Sequence, residues 1–146
     1  ASSKPGVRFF EGIEGLREAL FDTLTAKTEI CSFINLDEVN RFAGDLNREY
    51  VEKRKEKNIQ KKILTFDTQT IRDYFRSIGT DLTDFRFFAK DMIPFEANMQ
   101  IYDNKVSYFT LREKNINAFI IEDPQVAMIQ KSLFDFVWKQ ASTITL

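Results

Sequence analysis

Apolar residues recur along the chain in two rhythms, and their alternation sets an order of elements. A short β-rich run at residues 7–10 leads into a helical period in which Ile13, Leu16, Leu20 and Leu24 share one face. The stretch 29–35 is almost continuously apolar with β-branched residues, the pattern of a strand covered on both sides. Asp37 follows as a cap near the start of a helix carrying Val39, Phe42, Leu46 and Tyr50 or Val51. Ile63-Leu64-Thr65-Phe66 is a third strand. Asp67 and Thr68 cap a short helix through Ile71, Tyr74, Phe75 and Ile78, which Gly79 ends.

Beyond Gly79 the helical spacing gives way to strands. Residues 84–88 form a fourth strand, followed by a loop around Ile93-Pro94-Phe95. Stretches 97–102 and 106–111 flank Asp103-Asn104-Lys105, a compact hairpin turn in which Asn104 can take positive φ. Residues 116–121 make a last strand, and Pro124 sits in the first turn of a closing helix. The order is β-α-β-α-β-α-β-β-β-β-α. Alternation in the first half predicts parallel βαβ units and the hairpin adds antiparallel strands. The fold class is therefore α/β, with a mixed, mostly parallel sheet and helices on both faces. Residues 1–6 read as linker, 7–141 as one domain and 142–146 as a tail.

Composition narrows the chemistry. The chain has 146 residues, 43% hydrophobic and 29% charged, with net charge -1, as expected of one globular domain. No apolar run approaches the roughly 20 residues of a membrane span. The chain holds no histidine, which excludes Ser-His-Asp and Cys-His catalysis, His-ligated zinc and haem on a proximal His. Its one cysteine, Cys31, lies in the apolar run Ile30-Cys31-Ser32-Phe33-Ile34 and reads as a buried inert residue in a cytoplasmic protein. Neither a Walker loop nor a GxGxxG turn is present, and nothing implies a metal or other cofactor. The opening lacks an initiator Met, which predicts a piece of a longer protein.

Three features are candidates for function. The run 53–62 carries six basic residues and one acid, yet no aromatic residue is interleaved for base stacking. It reads as a solvated helix end rather than a nucleic-acid groove. On the closing helix, Val126, Ile129, Leu133, Phe136 and Val137 form an apolar stripe read as buried. Phe134 and Trp138 widen that stripe and are the candidate interface residues. In sheets with parallel units, ligands sit beyond the carboxyl ends of the strands. Glu11, Asn35, Asp67 and Thr68 fall there, each also readable as a cap or turn residue. Helix N-termini facing one crevice would present N–H groups to a polar or anionic ligand.

The stretch Lys4-Pro5-Gly6-Val7-Arg8-Phe9-Phe10-Glu11-Gly12-Ile13-Glu14-Gly15 resembles the opening of the C-terminal domain of TrmB-like transcriptional regulators. The run Glu96-Ala97-Asn98-Met99-Gln100-Ile101-Tyr102-Asp103-Asn104-Lys105-Val106 is similar to a later segment of that family. The resemblance runs from Lys4 to about Ala141. It implies a phospholipase-D-like fold, whose active site uses His-x-Lys-x4-Asp before a hairpin. Glu96 then stands at the His position, Asn98 at the Lys position and Asp103 at the Asp position. Glu96 and Asn98 cannot replace His and Lys, so the resemblance implies a domain that is not an enzyme and that senses an effector or associates. Glu96 and Asn98 join the four strand-end residues as candidate ligand contacts, for a small polar effector such as a sugar. The resemblance also implies a homodimer of the full-length protein, with the winged-helix DNA-binding part lying outside this chain. Direct nucleic-acid or membrane binding by this domain is not expected. A divergent phosphodiesterase and a pure protein-interaction module are the alternatives.

Overall fold

A computed structural model of the chain describes residues 6–89, 91, 96–112 and 114–143. The linker at 1–5, the loop around Ile93-Pro94-Phe95 and residues 144–146 lie outside the described residues.

The elements are β1 (Gly6–Glu11), α1 (Gly12–Asp22), β2 (Ile30–Phe33), α2 (Leu36–Glu56), β3 (Lys61–Phe66), α3 (Gln69–Ile78), β4 (Thr83–Phe88), β5 (Ala97–Tyr102), β6 (Lys105–Thr110), β7 (Asn117–Glu122) and α4 (Pro124–Gln140), with a short 3-10 turn at Thr23–Thr25. Two terminal assignments shift. Gly6 pairs with Glu122 and so belongs to β1 rather than to a linker. Ser142, placed in a tail by the sequence, exchanges two backbone hydrogen bonds with Phe87 at 2.8 and 2.9 Å.

All seven strands form one sheet in the order β1-β7-β6-β5-β2-β3-β4. Only β2–β3 and β3–β4 pair in parallel; the other four pairings are antiparallel. The expectation of a mostly parallel sheet is therefore corrected. Its reason is where the hairpin goes. β5 and β6 insert beside β2, and β7 then carries β1 at the far edge. The crossover through α1 thus joins strands that run the same way but have three others between them. A βαβ rhythm in sequence reports direction, not adjacency.

Helices cover both faces. On one, Tyr50 of α2 meets Gln100 of β5, Phe75 of α3 stacks on Phe85 of β4 at 4.1 Å, and Asp22 of α1 accepts from the Tyr102 hydroxyl at 2.7 Å. Gly15 lets α1 approach β1: a Cβ there would lie 2.9 Å from the Phe10 Cβ. On the other face α4 packs alone, its Phe134 edge-on to Phe33 of β2 with centroids 5.5 Å apart. The buried residues of α4 are Ala127 and Phe134, whereas Ile129, Leu133 and Phe136 are more than half exposed. The middle of the predicted core stripe is thus turned outward, while Val126 and Val137 at its two ends pack partly buried against the core. Phe134 is wholly buried, which makes it a packing residue and removes it as a surface contact, while Trp138 is half-buried against it.

Candidate ligand site at the strand ends

β2 and β3 end side by side, and each passes directly into a helix. Asn35 has extended backbone and caps α2, its Oδ1 accepting from the Glu38 N–H at 3.3 Å. Thr68 caps α3, its hydroxyl oxygen accepting from the Ile71 N–H at 3.1 Å. The Thr68 hydroxyl also faces the Asp37 carboxylate at 3.3–3.4 Å, so the two helix starts are linked. Asp37 therefore lies in the first turn of α2, one residue inside the helix, and Asn35 is the cap. Chain polarity explains the gathering: parallel strands end together, and their helices begin together.

β5 enters the same end from the opposite direction and brings Asn98. Its side chain is fully buried. The Oδ1 accepts from the Asn35 N–H at 2.7 Å, and the Nδ2 donates to the Phe109 carbonyl at 3.3 Å. Asn98 thus satisfies backbone groups on both sides and holds the α2 cap in place. Asp67 is clasped by Arg72 through two hydrogen bonds of 2.7 and 2.9 Å. Those bonds, outweighing burial, hold the Asp67 carboxyl below its usual range. Arg72 also lies over the Phe87 ring at 5.6 Å. At the rim, Glu96 is exposed and its carboxylate accepts from Arg112 at 3.3 Å.

Of the six candidate contacts, Asn35, Thr68 and Asn98 are joined by hydrogen bonds through the α2 cap and Asp37, Asp67 adjoins them, and Glu96 stands at the edge. Glu11 is elsewhere. It ends β1, four strands from β2, or about 19 Å at 4.8 Å per strand. Asp103 is also far from this end. It is the positive-φ residue of the hairpin turn (φ 52°), in place of the expected Asn104. Its Oδ1 accepts from the backbone N–H groups of Lys27 and Thr28 and from the Thr28 hydroxyl at 3.0–3.1 Å, tying the hairpin to the approach to β2. Along β5 it lies five residues, about 17 Å, from Asn98.

The sequence reading missed a second polar cluster, under α2. Tyr50 and Arg54, four residues apart on the buried side of α2, face Lys61 and Gln100 from the sheet. Lys61 Nζ donates to the Tyr50 hydroxyl at 3.0 Å and to Gln100 Oε1 at 2.7 Å. Arg54 donates to the carbonyls of Ile59 and Leu82 and to the Thr83 hydroxyl at 2.6–2.9 Å. Two of the six cations in the basic run are therefore interior, which corrects its reading as a solvated helix end. Period would have found them: Tyr50 and Arg54 are at i and i+4, and Lys61 shares a strand face with Ile63 and Thr65. Cys31 is buried, and burial pushes its thiol up to about 11, in keeping with an inert residue. Among the described residues no group of three or more His, Cys, Asp or Glu is placed to hold a metal ion. Among them, too, no helix is long and apolar enough to cross a membrane.

By sequence, no family description and no curated protein matches the chain. By structure, it is similar to TrmBL2, an archaeal chromatin protein whose structure shows a novel mode of DNA binding, at TM-score 0.58 and 19% identity. That likeness covers 94% of this chain and 54% of TrmBL2, so the chain spans about half of that protein's length. It is similar to Nuc, a phospholipase D family member from Salmonella typhimurium, at TM-score 0.72 and 16% identity, over 98% of this chain and 100% of that one. NucT from Helicobacter pylori follows at TM-score 0.67 and 12% identity, over 97% of this chain and 100% of that one. The fold is phospholipase-D-like. The expectation that the chain is not an enzyme is corrected by these likenesses: it shares its fold over 98% of its length with a phospholipase D family member, so the missing His-x-Lys pattern does not by itself settle whether the fold is catalytic here.

Proposed function

We propose that the chain is a regulatory domain of a TrmB-like transcriptional regulator that takes a small polar ligand at the ends of β2 and β3. The observation carrying this reading is the likeness to TrmBL2 over 94% of the chain, together with a strand-end cluster built from two helix starts. Thr68, Asp67 and Arg72 offer a hydroxyl, a carboxylate and a guanidinium, a set suited to the adjacent hydroxyls of a sugar. Ligand binding here would stabilise one relation of α2 to α3 and so bias the domain between two arrangements. The whole protein, in this reading, is a homodimer. Thermal unfolding against a panel of mono- and disaccharides tests it: at least one raises Tm in the wild type, and Asp67→Ala abolishes the rise. A flat response across the panel sinks the sugar reading.

A second reading, phosphodiester hydrolysis, is favoured by the likeness to Nuc and NucT over their entire chains. Without histidine, the pair Glu96 and Arg112 would supply a carboxylate to activate water and a guanidinium to hold phosphate. Release of nitrophenolate from bis(p-nitrophenyl) phosphate by the purified domain, at least tenfold weaker in Glu96→Gln, would establish it. Release that is unaffected by Glu96→Gln places the chemistry elsewhere.

A further inference from the structure

The polar cluster under α2 is built unlike a structural ion pair. Lys61 and Arg54 are both buried, at 6% and 2% exposure, and both are cations. A cavity of about 40 Å³ lies between α2 and the sheet, its polar lining including Tyr50, Arg54, Lys61, Thr83 and Gln100. Among the described residues, none of those lining it is acidic. Buried charges are ordinarily paired with opposite charge or neutralised, because desolvation is costly.

Gln100 supplies the second observation. It is fully buried, and its Oε1 is committed to the Lys61 ammonium. That bond sets the amide's orientation, since only the oxygen can accept from an ammonium. The Nε2, the other end of the same amide, has no hydrogen-bond partner among the described residues. The Arg54 Nε is likewise unpartnered. Lys61 has three donor hydrogens and two acceptors, Tyr50 and Gln100. The residues lining one small space thus carry surplus donors and positive charge.

We infer that this cavity binds one monatomic anion of halide size, chloride in the first instance, held by the Lys61 ammonium and the Gln100 amide N–H. The size fits. At roughly 10–15 Å³ per water, 40 Å³ admits about three waters, enough for a halide and too little for a sugar phosphate. The remaining wall is mostly apolar, including Leu16, Leu20, Ile34 and Phe75, which favours weakly hydrated bromide and chloride over fluoride. Burial, and then the nearby Arg54 charge, push Lys61 well below its ordinary pKa; a bound anion reverses that cost and keeps the ammonium charged. The site is independent of the strand-end cluster. Lys61 opens β3 and Thr68 follows its other end, seven residues on, so neither reading depends on the other.

The test is thermal unfolding of the whole chain in sodium bromide, chloride and gluconate at equal ionic strength. A rise in Tm of roughly 3–5 °C from gluconate to bromide is expected, growing with halide concentration. Gln100→Glu places a carboxylate beside Lys61; its Tm in gluconate should reach the wild-type value in bromide, with the halide response gone. Lys61→Met should also lose the response. If either variant fails to fold, the wild-type crystal decides: bromide soaking should give an anomalous peak within hydrogen-bond distance of Lys61 Nζ and Gln100 Nε2. Equal Tm in the three salts, a halide response retained by a folded Gln100→Glu or Lys61→Met, or an anomalous map without a peak in the cavity overturns the inference.

Discussion

The Arg54 guanidinium binds the end of α2 to the approach to β3 and the start of β4 by three short hydrogen bonds from a side chain that water scarcely reaches. Arg54→Ala would leave the Ile59 and Leu82 carbonyls without that donor and open a void, so a loss of about 3–4 kcal/mol is expected in urea unfolding. Arg54→Lys should recover less than half of it, since one ammonium cannot span the same fork. A loss below about 1 kcal/mol for Arg54→Ala would show that the site relaxes around the change. Asp22 makes a pH-dependent counterpart. Burial alone would raise its pKa, but hydrogen bonds from Tyr102 and Lys105, with the Lys105 and Arg8 charges, outweigh that and hold it below the ordinary 3.8. A depressed acid adds stability that is complete above its unfolded-state value and is lost as pH falls through the folded one. Asp22→Asn should therefore be less stable than wild type at neutral pH, and the gap should close as solutions are taken well below pH 3.8. A gap that stays constant into acid would show that the carboxylate's charge is not what matters. The basic run shows why single residues are hard to read from sequence. Its composition says surface, and only the register against Tyr50 and Ile63 reveals that Arg54 and Lys61 point inward.

Among the elements, α4 separates what a pattern can and cannot say. Its existence and its start were legible from Pro124, and Asp123 just before it accepts from the Gln125 and Val126 N–H groups at 3.1 and 3.0 Å. Its orientation was not. With apolar residues around most of its circumference, the stripe through Ile129, Leu133 and Phe136 looks no less core-like than that through Ala127 and Phe134. What decides is the sheet beneath. The Phe134 ring meets Phe33 of β2 edge-on, and Trp138 continues that line under Arg86, whose guanidinium lies 4.5 Å from the indole and donates to the Trp138 carbonyl at 2.7 Å. Phe134→Ala should cost about 3–5 kcal/mol and Phe136→Ala within about 0.5 kcal/mol of nothing, measured by denaturant midpoints at unchanged slope. Equal costs at the two positions would mean that α4 is rotated from the orientation described. The two helix caps at the strand ends were legible where the face of α4 was not, because caps are specified by local chemistry and Asn35 and Thr68 are capping residue types at a strand-to-helix junction.

For the whole molecule, the order of strands is the property most remote from the sequence. The succession of elements could be read almost completely, because each has its own period, turn or cap. Neighbour relations could not, because a crossover constrains strand direction and leaves open how many strands it passes over. Here the outcome depends on the hairpin β5–β6, which seats itself between β2 and β7 and leaves β1 at an edge, paired antiparallel with β7. The pairing makes a sharp prediction, since Phe9 and Phe119 are direct cross-strand partners with ring centroids 5.1 Å apart. Directly opposed residues in an antiparallel pair have Cα atoms about 4.5–5.5 Å apart, within the span a disulfide accepts. The double variant Phe9→Cys, Phe119→Cys should cross-link intramolecularly under mild oxidation, with buried Cys31 taking no part. The loop closed exceeds 100 residues, so loop-closure entropy adds up to about 5 kcal/mol to stability, seen as a higher Tm that reductant abolishes. Had β1 paired parallel with β2, as the βαβ rhythm alone would have it, residues 9 and 119 would lie on strands several positions apart and could not be joined. Monomeric cross-linking, read by mass and by mobility without reductant, therefore distinguishes the two sheets in one measurement.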